Sequence, residues 1–235
     1  MLYRYLRYIL VVPLTLLLVA LPPSQAGAQE DCGPLYVKNV FGPWDYTDPS
    51  NLAHNLPVVE ENHFAPRTEQ LVDATSVSGF AGVAADLDYT LRTFPNHHRA
   101  LYAMMRYQLE YPRPVNADYY TIECYFERAI RFKRDDPVVY MLHGIYLQRT
   151  NQREAALESY LNALKLQPDL TEAHYNLGLL YTELDEPELA MEQARLAYGR
   201  GYPLQGLKNR LVRSGHWQVS AKPETKPEKG TEASD

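Results

Sequence analysis

The chain contains two successive stretches, residues 137–170 and 171–204, in which apolar residues recur at helical spacing and the pattern repeats after 34 residues. Small residues occupy matching places in both: Gly144 aligns with Gly178, Ala156 with Ala190, and Ala163 with Ala197. Small side chains let two helices pack closely, whereas larger ones would push them apart. The pattern therefore predicts two helix pairs, 137–170 and 171–204, that stack on each other.

Weaker helical patterns precede these pairs. The segments 66–75, 82–94, 97–110 and 117–134 are each predicted to be helical, and they form the pairs 66–95 and 97–136. Pro95 and Pro168 close comparable segments and lie 73 residues apart, which is two periods of 34 plus five. An insertion is therefore expected in the middle pair, at the proline-rich connection 111–116. Residues 204–214 are predicted to form a helix that caps the last pair.

A 34-residue helix–turn–helix unit with this pattern resembles the tetratricopeptide repeat (TPR). The resemblance rests on Leu177, Gly178, Tyr181, Ala190 and Ala197. It departs from the family at His143, where Leu is favoured, and at His174, where a large residue such as Trp is favoured. The chain also looks like small secreted bacterial TPR proteins of unsettled function. The resemblance implies an all-α, right-handed helical repeat solenoid over 66–215, which presents a groove to a polypeptide and rarely carries catalysis.

In TPR proteins one face of each first helix lines the groove, and the resemblance places eight residues of this chain there. They are Val138, Met141, Ile145 and Gln148 of the third pair, and Glu172, Tyr175, Leu179 and Thr182 of the fourth. This surface is apolar and aromatic with few charges. TPR domains that clamp a free carboxylate use Lys, Arg and Asn on this face. Here Asn176 is the only such residue, so a carboxylate clamp is not expected.

Residues 29–65 are rich in Pro, Gly, Asn and Asp, which predicts an irregular N-terminal arm of turns and extended segments. Its aromatic residues are too many for a free linker, so the arm is expected to lie against the helical body. Two arrangements remain open at this point. Either the arm fills the groove, with Phe41 or Trp44 as the plug, or the groove is open to a partner.

The first 28 residues have the features of a signal peptide: Arg4 and Arg7, then an apolar stretch of 13 residues at 9–21 that is interrupted by Pro13, then a small-residue site ending at Ala28. An uncleaved anchor is the alternative, but 13 residues are fewer than the roughly 20 that span a bilayer. We expect export, into the periplasm if the source is Gram-negative, with no membrane span after cleavage. The tail 216–235 has almost no apolar residues and is predicted to be disordered.

Charge and cysteine content narrow the partners further. The full chain has a net charge of −6, and loss of the leader with its two Arg would make it −8. This balance argues against a nucleic-acid partner.

An even pair of cysteines, Cys32 and Cys124, suggests a disulfide in an oxidising compartment. Two unrelated thiols, with Cys124 merely buried in a helix, are the alternative.

Two functions are consistent with the sequence. The first is a non-enzymatic interaction module that holds a protein or peptide partner in the cell envelope, without a cofactor or metal. The second is a small metal-binding or hydrolytic protein that uses the segment Asp86–His98, with the repeats as scaffold. His97 and His98 are neighbours on one helix and point about 100° apart, so they do not chelate as a pair. The chain contains no Ser-x-x-Lys, Gly-x-Ser-x-Gly, phosphate-loop or His-Glu-x-x-His motif, which favours the interaction module.

Overall fold

The computed structural model describes residues 31–36, 41–72, 74, 77–111, 113 and 117–217, with side chains from 82 onward in the third helix. The described residues form ten helices and no strand, which confirms the all-α helical stack. The signal-peptide segment 1–28 and most of the predicted tail, 218–235, lie outside the described residues. The helices are α1 (Pro49–His63), α2 (Pro66–Glu69), α3 (Val77–Thr93), α4 (His98–Glu110), α5 (Ile122–Phe132), α6 (Pro137–Arg149), α7 (Arg153–Leu166), α8 (Thr171–Glu183), α9 (Pro187–Gly199) and α10 (Gly206–Arg213).

Local signals begin and end the helices of the repeats. Asp136 accepts hydrogen bonds from the N–H groups of Val138 and Val139 at the start of α6. The turns between α6 and α7 and between α8 and α9 each contain a left-handed residue, Asn151 (φ 62°) and Asp185 (φ 60°). These two residues are 34 apart, and Asn and Asp tolerate this conformation better than most side chains. The two turns are thus repeats of each other, like the helices they join.

The predicted irregular arm is wrong for residues 49–63, which form α1. Asp and Pro are common turn formers, but at the start of this segment they begin a helix. Asp48 accepts a hydrogen bond from the N–H of Ser50, and Pro49 occupies the first helical position. The predicted helix 66–75 is correspondingly shorter, because α2 ends at Glu69 and Leu71 is left-handed (φ 57°).

One hydrophobic core runs through the stack from the first pair to α8. Phe64 before α2, Leu87 of α3, Met104 of α4, Tyr160 of α7 and Leu180 of α8 all belong to it and are at most 2% exposed. A second cluster joins the last helices and includes Ala194 of α9 with Leu207 and Leu211 of α10. The helix α10 therefore covers the end of the stack, as the cap prediction requires. No helix among the described residues is long and apolar enough to cross a membrane.

A disulfide bond joins Cys32 to Cys124, so the predicted bridge is present. The arm reaches α5 at this point, because Arg128 donates hydrogen bonds to the carbonyls of Cys32 (2.8 Å) and Pro34 (2.9 Å). The bond joins residues 92 apart in sequence. For a loop of that length, chain entropy predicts a stabilisation of roughly 4–5 kcal/mol, before any strain is subtracted. The bridge pins the arm to the second helix of the middle pair.

Glycine permits close contact in the last two helix pairs. A Cβ atom on Gly144 would lie 2.6 Å from Cε1 of Tyr160, in the partner helix α7. At Gly178 the equivalent atom would lie 2.5 Å from Cδ2 of Leu207, in α10, and 3.3 Å from Cβ of Gln193, in α9. At the same position counted from the start of α4 stands Met105, which is fully buried. The middle pair therefore packs through large side chains where the last two pairs pack through glycine.

We expect Gly144→Ala to lower the free energy of unfolding by about 1–3 kcal/mol. The Tyr160 ring that it would meet is fully buried, and its hydroxyl donates to Gln148, so the ring cannot easily move. Gly178→Ala should lower the free energy of unfolding by less, because the atom that it would meet is a terminal methyl of Leu207, and this side chain can rotate about χ2. Gly199→Ala is the control, since nothing lies within 4 Å of a Cβ atom there. Urea denaturation measures all three, and equal stability of the Gly144 and Gly199 variants would contradict the packing described.

Candidate functional site

The residues predicted to line a groove lie on one face of the first helices α6 and α8. Counted from the first residue of each helix, they occupy the same four positions: 2, 5, 9 and 12. Val138, Ile145, Gln148, Leu179 and Thr182 are half-buried, and Glu172 is exposed. We call this surface, with the corresponding residues of α4 described below, the first-helix face.

Two of the predicted groove residues, Met141 and Tyr175, belong to the packed interior, which corrects the prediction. They are 8% and 7% exposed. The ring of Tyr202 packs on Tyr175 with centroids 4.5 Å apart, and Gly206 is so close that a Cβ atom there would lie 2.5 Å from the Tyr175 hydroxyl. The segment leading into α10 thus covers the end of the first-helix face. The predicted cap at 204–214 therefore covers part of the predicted groove as well as the last helix pair.

The same four positions in α4 are Arg99, Tyr102, Arg106 and Leu109, which the sequence analysis missed. Their spacing of 3, 4 and 3 residues matches that of α6 and α8. They lie 39 residues before the α6 positions, because the insertion of five in the middle pair displaces α4 from the 34-residue register. Tyr102 and Leu109 are 37% and 40% exposed, so this part of the face is the most open.

The α4 part of the face brings in positive charge, contrary to the prediction of a surface without Lys or Arg. Arg99 is neutralised, because it donates to Glu60 and to both carboxylate oxygens of Glu69. The guanidinium of Arg106 lies over the Tyr102 ring, 5.9 Å from its centroid. Within the described part of the chain, Arg106 has no carboxylate partner. The face therefore combines one uncompensated cation with apolar and aromatic side chains.

The arm does not plug this face through Phe41 or Trp44. The backbone N–H of Trp44 donates to the carbonyl of Thr93 (2.8 Å), and the Trp44 ring packs on Phe94 with centroids 5.5 Å apart. Phe41 contacts Trp44 edge-on and is 68% exposed. Both rings therefore lie at the end of α3, and the plug interpretation is wrong for these two residues.

A buried polar junction connects the arm, the start of α4 and the start of α6. The side chain of Asn96 donates to Asp45 (2.8 Å) and to Asp136 (3.0 Å), and its oxygen accepts the N–H of Tyr46. His98 donates to Asp136 at 2.8 Å. Burial alone would raise the pKa of Asp136, but the hydrogen bonds from His98 and Asn96 outweigh it and lower that pKa.

The candidate ligands of the metal hypothesis are each engaged in a different pair. Asp86 hydrogen-bonds His63, and His98 hydrogen-bonds Asp136. His97 is fully buried, and its Nδ1 accepts the N–H of Ala100, which leaves Nε2 protonated toward Glu60. Burial lowers the pKa of His97 despite that carboxylate. No group of three ligating side chains occurs among the described residues. The observed hydrogen bonds of these side chains join elements of the fold.

Comparison with known proteins places repeats in the second half of the chain. A family model described as TPR repeat matches residues 145–185, and one described as tetratricopeptide repeat matches residues 171–200. The last two helix pairs are thus tetratricopeptide repeats, as predicted. Repeats of this class indicate a protein–protein interaction module.

Individual proteins are similar to parts of this chain. The peroxisomal targeting signal receptor of Saccharomyces cerevisiae is 37% identical over 59 residues, which are 25% of this chain and 10% of the receptor. The matched region thus spans about a tenth of that relative's length. Two solved structures of MamA are each 16% identical to this chain. One covers 62% of this chain and 85% of MamA with a TM-score of 0.44, and the other covers 65% and 85% with a TM-score of 0.43.

Stability is expected to fall between pH 6.5 and pH 4. Burial lowers the pKa of His143 to about 4, from about 6.5 in the unfolded chain, and His97 shifts in the same direction. Between these two pKa values the unfolded state binds protons that the folded state does not bind. The contribution of the neutral histidines to stability is therefore complete above pH 6.5 and is lost as the pH falls. For His143 alone the loss is at most roughly 3 kcal/mol.

Urea denaturation at several pH values measures this loss. His143→Leu, which introduces the residue favoured by the repeat family, should reduce the slope between pH 6.5 and pH 4. His54→Leu is the control, because His54 is exposed on α1, and it should leave the slope unchanged. An unchanged slope in the His143 variant would contradict the attribution of this pH dependence to His143.

Proposed function

We propose that the protein binds a polypeptide segment on the first-helix face of α4, α6 and α8, with Arg106 recognising a carboxylate of that segment. The observation that carries the proposal is the guanidinium of Arg106, which has no carboxylate partner among the described residues and lies between the exposed apolar side chains of Tyr102 and Leu109. The guanidinium is held over the Tyr102 ring, so its fork of donors is partly ordered before a ligand arrives. A carboxylate of the partner would form charge-assisted hydrogen bonds with it.

Apolar side chains on either side of Arg106 define the rest of the partner. Tyr102 and Leu109 flank it on α4, and Val138 and Ile145 continue the surface on α6 with partial exposure. A segment with one acidic residue among apolar ones complements this arrangement. A strongly acidic segment does not, because the chain as a whole carries a net charge of −6 and repels it at long range.

The proposal includes export to the cell envelope, where the module would hold a partner or help to assemble an envelope complex. The leader-like composition of residues 1–28 supports export, and so does the disulfide between Cys32 and Cys124, since such bonds persist in oxidising compartments. In a Gram-negative source the compartment would be the periplasm. N-terminal sequencing of the protein from its native host tests this part: a chain beginning at Gln29 is expected, and one beginning at Met1 contradicts it.

Site-specific photo-crosslinking tests the binding face. A benzoylphenylalanine at position 102 is expected to crosslink a defined polypeptide in cells of the source organism. The same group at position 161, on the exposed side of the second helix α7, should not. Arg106→Glu should lower the yield at position 102 about tenfold, which corresponds to loss of one charge-assisted hydrogen bond.

Arg134→Glu is the matched control for the change of charge. Arg134 is exposed in the turn between α5 and α6 and does not occupy any of the helix positions that form the first-helix face, so its reversal should leave the yield unchanged. Both variants must keep the thermal midpoint of the parent protein. Equal crosslinking at positions 102 and 161, or a yield that Arg106→Glu does not alter, would contradict the proposal.

A further inference from the structure

Residues of the arm, α1 and α3 line a cleft of about 180 Å³, which we call the aromatic cleft. Its lining includes Phe41 and Trp44 of the arm, Tyr89 of α3 and Val58 of α1. Pockets for drug-sized molecules usually measure about 300–1,000 Å³. The aromatic cleft is smaller and suits a single side chain.

The arm side of the cleft is held rigidly. Gly42 is left-handed (φ 85°), and a Cβ atom there would lie 2.5 Å from the carbonyl oxygen of Thr93, so the arm can lie this close to α3 only with glycine at that position. The backbone N–H of Trp44 donates to the same carbonyl, and the Trp44 ring packs on the fully buried Phe94. The Trp44 ring is thus fixed before any ligand arrives.

Tyr89 is held by its own contacts. His63 stacks on Tyr89 with ring centroids 3.9 Å apart, and the carboxylate of Asp86 holds the His63 ring through Nδ1 at 3.0 Å. Val59, which is 5% exposed, also lines the cleft. An aromatic lining next to a buried apolar residue favours insertion of a third ring, because aromatic rings attract one another in stacked and edge-to-face arrangements.

The polar groups of the cleft specify an uncharged ligand with a donor at its edge. None of the eight lining residues is acidic, Lys or Arg, so a charged group would lose its hydration without gaining a partner. Asn55 and Asn62 use their amide N–H groups on Asn51 and on the carbonyl of Val58. Their side-chain oxygens accept no hydrogen bond from the described residues and are available to a ligand. An O–H or N–H at the edge of a ring would complement them.

We infer that the aromatic cleft binds a tyrosine or tryptophan side chain of a polypeptide. The exposure of its edge supports this, because Phe41 is 68% and Val58 61% exposed, and a partner chain would cover both. A sugar ring is the competing ligand, because the Tyr89 hydroxyl and the Trp44 indole N–H line the cleft as well, and it is distinguished in the titration below. The inference does not depend on the first-helix face, which is built from other helices.

Titration of the ¹⁵N-labelled protein with N-acetyltyrosinamide tests the inference. The chain has two tryptophans, Trp44 in the cleft and Trp217 after α10, and each gives one indole N–H signal. The Trp44 signal should shift and saturate at roughly millimolar ligand, the affinity expected for a lone side chain. The Trp217 signal should stay in place.

Two valine substitutions locate the site. Val58→Arg is expected to weaken binding at least about tenfold, because it places a charge at the edge of the cleft. Val212→Arg is the matched control: this residue is 53% exposed on α10, and its change should leave the affinity unaltered. The inference is overturned if neither signal shifts, if both shift alike, if Val58→Arg binds normally, or if N-acetylglucosamine shifts the Trp44 signal and N-acetyltyrosinamide does not.

Discussion

The carboxylate of Asp136 is the contact on which the arrangement of this molecule depends. It is 1% exposed, caps α6 and accepts hydrogen bonds from both Asn96 and His98. Asn96 in turn binds the arm at Asp45 and Tyr46. Because a buried carboxylate is unfavourable without such partners, the three elements are stabilised only together. The junction thereby sets α4 beside α6 and aligns their parts of the first-helix face.

The two ends of the stack pack by different means. The last two pairs pack through glycine and follow the repeat closely. The first part has no such glycine on α4, and it is held by the disulfide at α5, the Asp136 junction and the helix α1. The arm leaves its aromatic rings at the end of α3, where they form the cleft instead of covering the first-helix face.

The helices α6 to α9 were predictable because their small residues repeat at a constant interval and pack the same way twice. The bond between Cys32 and Cys124 was predictable from the even number of cysteines together with the expected export of the chain. The helix α1 was not, since Asp-Pro pairs begin both turns and helices, and only packing against α3 decides between them. Arg106 is predictable from the sequence when the five-residue insertion of the middle pair is added to the period, because it then aligns with Ile145 of α6. A period of 34 without the insertion does not bring α4 into register. The covering of Tyr175 by Tyr202 depends on the path after α9, for which the repeat contains no signal.

Hydrogen exchange of the Asp136→Ala variant tests most directly whether this carboxylate holds the elements together. In the parent protein the amide of Tyr46 donates to Asn96, and those of Val138 and Val139 donate to Asp136. If the junction acts as one unit, the substitution should increase exchange at Tyr46 as well as at the start of α6. Faster exchange confined to the first turn of α6, with Tyr46 unchanged, would contradict the account.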